Sequence, residues 1–425
     1  MTRRHYSWGK ILISIIMAMM MCMGTALTAM GAVSKGTEEK PAEAAITKKL
    51  VMPIGTNIPE IKFTFEFEKV SVDGKPADKA SMPEIPSAQV SFSATDAVAQ
   101  ENGIKTLNKE TANIFADQNL TWNHAGIYRY RVTEKHDFSS TFADSMIMSN
   151  AVYEIDVYVD QGEEGLYVRY IAAYIKVTDE GKPADNEKVD PTPSWVMEKT
   201  DMSEMVFTNY YLKNNGGTDP DKTVMAIKKQ VAGMSADQSM YFPFTIMATK
   251  PRTVTAETKY KAYLMDEKGV VSEITIDNKN PLNNVANDGK NDYFELKSGE
   301  SLDVMLKHGQ WLSFVDMPVG SMISAWESAV ADYTPMFELT LNGGTPIEIN
   351  GFQNMALGFP MTGTPSPVYI GESKNSAVFT NTYKDITPTG ISVDDLPYFV
   401  TIALVLAALA GFVVFKSRRR RSDNA

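Results

Sequence analysis

The sequence predicts an all-β protein made of two tandem domains that are diverged copies of one another. The tetrapeptide VFTN occurs at residues 206–209 and again at 378–381, and each copy ends a region that begins with a lysine flanked by apolar residues. Apolar and polar residues alternate around these segments, as they do in a strand with one buried face. Repetition at this scale indicates internal duplication. The expected domains are residues 44–212 and 222–384, joined by a turn-rich linker.

Each VFTN segment places an asparagine on an otherwise apolar strand face. Asn209 shares its face with Phe207, two residues before it. Asn381 stands in the same relation to Phe379. Because alternate side chains of a strand point to opposite faces, we expect both asparagines to point into a core.

The beginning of each domain places a lysine on an apolar face in the same way. Lys48 and Lys229 both alternate with aliphatic residues. The separation from Lys48 to Phe63 is 15 residues, and the separation from Lys229 to Phe244 is also 15. This equal spacing, which aligns Phe63 with Phe244, supports the duplication.

A glutamate completes the set in each half. The segment at residues 126–134 groups Glu134 with tyrosines and a valine, and the segment at 318–327 groups Glu327 with Ile323 and Ala325. Glutamate is rarely buried without a partner or a chemical purpose.

Lysine, glutamate and asparagine in an apolar interior are the reactants for a self-formed isopeptide bond. Desolvation favours the neutral amine, which is a nucleophile, and the neutral carboxylic acid, which polarises the carboxamide and carries protons. The reaction occurs once per site, so it does not make the protein an enzyme. The alternative is that the lysines extend to solvent, the glutamates pair with arginines and the asparagines cap turns.

Several motifs resemble the isopeptide-bonded backbone pilins of Gram-positive bacteria, specifically the streptococcal FctA type. Besides VFTN they are ITKKL from residue 46, IKKQV from 227, FTFEFE from 63, AGIYRYRVTE from 125, LKSGESLDV from 296 and MPVGS from 317. The resemblance implies immunoglobulin-like β-sandwich domains of the Cna protein B type. It also implies one bond between Lys48 and Asn209 with Glu134 as the catalytic acid. The second bond would join Lys229 to Asn381 with Glu327.

The N-terminal residues 1–31 are typical of a signal peptide. Basic residues precede an apolar stretch, and small residues before Ala32 form a cleavage site. The only cysteine, Cys22, lies in this segment, so the mature chain has no disulfide. A lipoprotein role for Cys22 is the weaker interpretation, because three methionines precede it.

The C-terminal residues 386–425 are typical of a cell-wall sorting signal. The motif TPTG at 387–390 precedes a transmembrane helix predicted at 396–415 and a basic tail. A sortase would cut between Thr389 and Gly390, although the motif departs from the common LPxTG pattern. The alternative is a plain single-span anchor. The predicted location is the cell surface, with the chain membrane-bound before cleavage and covalently attached to the wall or a pilus after it.

Charge and motif content exclude several other functions. The net charge is −11, and the basic clusters belong to the two ends, so nucleic-acid binding is not expected. Enzyme signatures are absent from the sequence, and no cofactor is expected. The Asn- and Asp-rich segment 277–292 lacks the spacing of a calcium loop, so we expect no metal.

The predicted function is therefore a pilus subunit whose partners are a sortase, other subunits of a homopolymer, and peptidoglycan. In FctA-type pilins the lysine that accepts the next subunit lies seven residues before the first-domain asparagine, where this chain has Met202. Lys199 is the candidate acceptor, with Lys188 and Lys213 behind it. The alternative function is a wall-anchored adhesin that does not polymerise and binds an unknown host or substrate ligand through stapled stalk domains.

Overall fold

The computed structural model describes residues 33–76, 82–116, 120–136, 145–196, 199–215, 219–254, 256–278, 284–328, 330–350, 356–357 and 368–384, and seven helical residues between 400 and 408. The signal peptide predicted at 1–31, both residues of the predicted sortase site, and most of the span predicted at 396–415 lie outside these ranges. Within the described part of the chain, no helix combines the length and the apolar character that crossing a bilayer requires.

The chain divides into two compact units near residue 214. The strands up to that point are β1 (Ser34–Lys35), β2 (Thr47–Pro53), β3 (Ile61–Val72), β4 (Lys75–Pro76), β5 (Ala88–Phe92), β6 (Ala99–Glu101), β7 (Ile104–Glu110), β8 (Gly126–Glu134), β9 (Met146–Ile147), β10 (Val152–Gln161), β11 (Leu166–Val177), β12 (Lys188–Val189) and β13 (Val206–Tyr211).

The following strands are β14 (Asn214–Asn215), β15 (Met225–Ala232), β16 (Phe242–Thr249), β17 (Lys259–Met265), β18 (Val285–Asn287), β19 (Asp292–Lys297), β20 (Ser301–Leu306), β21 (Trp311–Val315), β22 (Met317–Pro318), β23 (Met322–Glu327), β24 (Tyr333–Thr340), β25 (Ile347–Asn350), β26 (Ala356–Leu357), β27 (Val368–Tyr369) and β28 (Asn375–Tyr383). A single turn of 3-10 helix occupies Ile276–Asn278.

Two sheets pack on each other in the first unit. One has the order β1-β11-β10-β8-β3-β4, with β12 beside β11 and β5 beside β3, and the other has the order β6-β7-β2-β13-β9. A single apolar cluster contains side chains from both sheets, among them Leu50 and Phe207 from one and Phe65, Tyr130 and Ile155 from the other. The first unit is therefore a β-sandwich with one core.

The second unit repeats this architecture with a different distribution of strands. Its larger sheet has the order β18-β19-β17-β21-β15-β28-β24-β25, and its smaller sheet has the order β20-β16-β23-β26 with β27 beside β23. Ile227 and Phe379 from the larger sheet share an apolar cluster with Phe244 and Ala325 from the smaller one. The two sandwiches confirm the all-β fold predicted from the sequence.

The first and last long strands of each unit run parallel and side by side. In the β2–β13 pair Lys48 lies opposite Phe207, and in the β15–β28 pair Lys229 lies opposite Phe379. The registers of the two pairs are therefore the same. In both, the asparagine lies two residues beyond the position opposite the lysine, on the same face of the sheet.

Candidate functional site

The structure brings Lys48, Glu134 and Asn209 together in the interior of the first unit. Lys48 on β2 and Asn209 on β13 are fully buried, with 0% exposure, and Glu134 is 6% exposed. Glu134 is the last residue of β8, in the sheet that faces β2 and β13 across the core, and it lies opposite Phe65 of β3. The three side chains therefore meet between the two sheets.

Glu134 contacts the other two members of this triad through different oxygen atoms. The amine of Lys48 donates to Oε2 at 2.9 Å, and Nδ2 of Asn209 donates to Oε1 at 2.9 Å. One carboxyl group thus bridges the nitrogen that would attack and the nitrogen that would leave. This is the geometry that a proton shuttle between the two nitrogens requires.

A further contact holds the carbonyl oxygen of the Asn209 side chain. The backbone N–H of Ser149, in the segment between β9 and β10, donates to Oδ1 of Asn209 at 2.8 Å. Sequence reasoning missed Ser149 because its contribution comes from the main chain, which no residue type signals.

The second unit places Lys229, Glu327 and Asn381 in the same arrangement. Glu327 is the last residue of β23 and lies opposite Phe244 of β16, as Glu134 lies opposite Phe65. All three triad residues are buried. The amine of Lys229 lies 3.1 and 3.2 Å from the two oxygens of Glu327, and Nδ2 of Asn381 donates to Oε1 at 2.5 Å.

The two sites differ at the asparagine carbonyl. Oδ1 of Asn381 is buried and has no hydrogen-bond donor among the residues that the structure describes. In the first unit the equivalent oxygen has the Ser149 donor. Within the described part of the second unit, the site therefore has the bridging glutamate but no counterpart of the backbone contact seen in the first.

Burial moves the ionisable groups of both sites toward their neutral forms. Desolvation lowers the pKa of Lys48 to about 8, even though Glu134 opposes this shift, and it lowers the pKa of Lys229 to about 8 against the opposition of Glu327. Desolvation also raises the pKa of Glu134 and that of Glu327, against the effect of the neighbouring lysine. The state with a neutral amine beside a neutral acid is thus more populated here than it would be in water.

Phenylalanine rings pack over each lysine, and they correct the alignment of the two halves. The amine of Lys48 lies 4.5 Å from the ring centre of Phe63, and the amine of Lys229 lies 4.2 Å from that of Phe242. Phe63 is thus equivalent to Phe242. The alignment of Phe63 with Phe244 drawn from the equal 15-residue spacing was wrong.

The equivalent of Phe244 is Phe65. Phe65 packs on Phe207 with ring centres 5.0 Å apart, and Phe244 packs on Phe379 at 5.1 Å. The connection from the lysine strand to the next strand is therefore two residues longer in the first unit. Equal spacing in the sequence concealed this difference in length.

The candidate acceptor Lys199 lies apart from the triads in a polar setting. Its amine donates to Oδ2 of Asp190 at 3.1 Å and to the carbonyl oxygen of Thr192 at 2.6 Å. Its side chain is 16% exposed. Thr389 and Gly390, the predicted sortase site, lie outside the described residues.

Among the described residues, no group of three or more His, Cys, Asp or Glu side chains is arranged to hold a metal ion.

These features define a class of protein with two tandem all-β sandwiches. In each, a buried lysine and asparagine on the parallel first and last long strands meet a buried glutamate from the opposite sheet. A family model described as Domain of unknown function (DUF7601) matches residues 223–383, which correspond to the second unit. No curated protein matches the chain.

The chain is similar to several solved structures. The major pilin from Streptococcus pyogenes is 19% identical over 81% of this chain and 99% of that chain, with a TM-score of 0.31. The major pilin protein T3.2 from the same species is 18% identical over 83% and 100%, also with a TM-score of 0.31. A pilus-presented adhesin, Cpa, is 13% identical over 55% of this chain and 36% of that chain, with a TM-score of 0.20.

Proposed function

We propose that this chain is a structural subunit of a cell-surface pilus and that an intramolecular Lys–Asn isopeptide bond staples each sandwich unit. The observation that carries the proposal is the bridging carboxyl group. In each unit one buried glutamate contacts both a lysine amine and an asparagine carboxamide. The same three residue types in the same strand register in two diverged copies support a shared chemical purpose over two coincidental buried ion pairs.

The proposed bonds are Lys48–Asn209, promoted by Glu134, and Lys229–Asn381, promoted by Glu327. Burial favours the neutral amine that attacks and the neutral acid that transfers protons. Proximity within the folded core supplies the rest of the rate acceleration. Each bond forms once and releases ammonia, so no turnover and no cofactor are involved.

The position of the bonds suits a fibre under tension. Each would join the first long strand of a unit to its last, because β2 pairs with β13 and β15 pairs with β28. A pulling force that enters at one terminal strand would then leave through the other by way of a covalent link. The sandwich between them would carry little of the load.

The proposed surface attachment rests on the C-terminal sequence. A sortase would cleave after Thr389 and pass its carbonyl group to an amine of another pilin subunit or of peptidoglycan. Lys199 is the proposed acceptor on the next subunit. Its ammonium is held by Asp190 and Thr192, so a sortase would have to draw the side chain out of these contacts.

That constraint favours one alternative function, a wall-anchored adhesin that does not polymerise. The position that carries the acceptor lysine in the pilins that this chain resembles is occupied by Met202, which is 39% exposed. An adhesin would use the stapled units as a stalk and would need no acceptor lysine.

Immunoblots of cell-wall extracts distinguish the two functions. A pilus subunit gives a ladder of high-mass species in wild-type cells, and Thr389→Ala abolishes the ladder because no acyl transfer occurs. Lys199→Ala abolishes it if Lys199 is the acceptor, and Lys188→Ala and Lys213→Ala test the two other candidate acceptors in the same way. A single wall-linked band in wild-type cells, unchanged by Lys199→Ala, contradicts the pilus proposal and supports the adhesin.

A further inference from the structure

The carboxamide of Asn209 has a fixed orientation in the first unit. The backbone N–H of Ser149 is only a donor, so the atom that faces it at 2.8 Å has to be the carbonyl oxygen Oδ1. The amide nitrogen Nδ2 consequently faces Oε1 of Glu134. Glu134 therefore contacts Nδ2, the nitrogen that would leave, whereas the Ser149 N–H contacts Oδ1, the oxygen on which negative charge would develop.

The segment that contains Ser149 is held from two sides. Nε2 of His136, two residues beyond the end of β8, donates to the carbonyl oxygen of Ser149 at 2.8 Å; this oxygen only accepts, so the ring nitrogen carries the proton. Oγ of Ser149 donates to Oδ1 of Asp179 at 2.5 Å. The same Asp179 oxygen accepts the backbone N–H of Thr208, next to Asn209 on β13.

These contacts place the donor before any reaction begins. Ser149 is 1% exposed, so water does not compete for its N–H group. A preorganised backbone N–H that points at an oxygen on which negative charge develops is the defining feature of an oxyanion hole.

We propose that the backbone N–H of Ser149 is the oxyanion donor for formation of the Lys48–Asn209 bond, with His136 and Asp179 as the residues that position it. This inference rests on the proposed function, since it concerns the same reaction. The neutral amine of Lys48 attacks Cγ of Asn209, and negative charge develops on Oδ1 against the Ser149 N–H. Lys48 gives one proton to Oε2 of Glu134, and Glu134 gives the proton on Oε1 to Nδ2.

The bond between Cγ and Nδ2 then breaks and ammonia leaves. One amine and one carboxamide have become one secondary amide and one ammonia molecule, and Glu134 again carries one proton. No other reactant enters the step. The second unit supplies an internal reference, because the Lys229–Asn381 bond forms in the same molecule and does not involve Ser149.

The test removes the N–H group alone from the full mature chain. Cell-free synthesis with nonsense suppression replaces Ser149 by its α-hydroxy analogue, so that an ester oxygen stands where the backbone N–H was. The matched control places an ester at Asn150, the next residue in the segment. The backbone N–H of Asn150 donates to the carbonyl oxygen of Asp179 and does not contact Asn209. Both chains lose one backbone hydrogen bond, and only one loses the contact with Asn209. The control ester also makes the carbonyl oxygen of Ser149 a weaker acceptor for His136, but it leaves the Ser149 N–H in place.

Samples quenched at intervals after synthesis are digested, and the two cross-linked peptides are quantified by mass. We expect the ester at Ser149 to slow the first cross-link by about 100-fold or more, the usual effect of deleting one oxyanion-hole donor. The ester at Asn150 should slow that rate by no more than about tenfold, the effect expected for losing the His136 contact. The second cross-link should form at the wild-type rate in both chains.

Equal rates of the first cross-link in the two ester chains overturn the inference while leaving the proposed function intact. Failure of the wild-type chain to form either cross-link overturns the proposed function itself. The two failures are therefore distinguishable in one experiment.

Rapid trypsin cleavage would reveal whether the Ser149 ester prevents the first unit from folding. In that case a second pair of variants tests the inference. His136→Leu removes the donor to the Ser149 carbonyl oxygen, and His136→Gln retains an amide N–H at a similar reach. We expect His136→Leu to slow the first cross-link about tenfold, the loss of one ordinary hydrogen bond, and His136→Gln to restore it. Wild-type rates in both variants contradict the inference.

Discussion

Lys48 lies directly opposite Phe207 in a parallel pair of strands, and this pairing places its amine on the same face as Asn209, two residues further along. The equivalent pair in the second unit, Lys229 and Phe379, has the same register. Each lysine and asparagine thus belong to one sheet, and the glutamate that bridges them comes from the opposite sheet. A covalent bond at this point would close each sandwich through its terminal strands.

The mass of the mature chain should reveal the proposed cross-links directly. We expect the segment from Ala32 to Thr389 to weigh two ammonia molecules less than its sequence, because each bond releases one. Glu134→Ala should restore one ammonia mass and Glu327→Ala the other, as measured by intact-protein mass spectrometry. The control is Glu154→Ala, which removes a buried glutamate of the first unit that pairs instead with Arg131 and Lys176. Restoration of mass by this control would argue against a specific role for Glu134.

Loss of the first cross-link should destabilise the first unit substantially. Lys48→Met removes the nucleophilic amine and puts in its place an apolar side chain of similar length, which suits the buried position. The bond would close a loop of 161 residues, so the chain-entropy model predicts a loss of about 5 kcal/mol in the free energy of unfolding. Denaturant unfolding measures this quantity.

The matched control for that change is Lys49→Met, the same substitution one residue away on the opposite face of β2. Lys49 is half-buried and does not belong to the triad. We expect its free energy of unfolding to stay within about 0.5 kcal/mol of wild type. Equal effects of the two substitutions would indicate that the residue at position 48 acts through packing alone.

Formation of the first bond should have a bell-shaped dependence on pH. The reactive pair, a neutral Lys48 and a neutral Glu134, has the same number of protons as the ion pair, so both belong to one protonation state. That state loses a proton above the lysine pKa of about 8, and it gains one below the raised pKa of Glu134. The rate should therefore fall about tenfold per pH unit beyond either limit.

Rapid dilution of newly synthesised chain into buffers of different pH, followed by peptide mapping, measures this profile. A rate that keeps rising well above pH 8 would mean that an unassisted amine attacks without an acid partner. That outcome would remove Glu134 from the mechanism.

Two surface-facing Arg–Asp pairs in the first unit should differ in their contribution to stability. Arg129 donates to both oxygens of Asp156 at 2.6 and 2.8 Å, and the Asp156 side chain is 5% exposed. Arg169 donates to Asp160 at 2.6 Å, but both side chains are largely exposed. We expect Asp156→Ala to lower the free energy of unfolding by about 2 kcal/mol and Asp160→Ala by less than about 1 kcal/mol, because solvent screens the exposed pair. Thermal or denaturant unfolding in the Lys48→Met background would measure both, and equal losses would contradict this assignment.

Strand periodicity predicted which residues of the site face inward. Lys48, Glu134 and Asn209 each alternate with apolar neighbours, and alternation is a local property of a strand, so the sequence by itself indicates their burial. The duplication was also visible, because both halves repeat the same residue types on their inward faces. These features determined the all-β fold class.

Only the tertiary structure decided which groups touch across the core. It showed that Phe242, rather than Phe244, corresponds to Phe63, since a two-residue difference in a connecting segment shifts the strand register without altering the alternation. It also placed the Ser149 N–H against Asn209 and the Lys199 amine against Asp190. Such contacts depend on how distant strands and loops are arranged in space. A backbone N–H group is also common to almost every residue type, so no sequence pattern could have predicted the Ser149 contact.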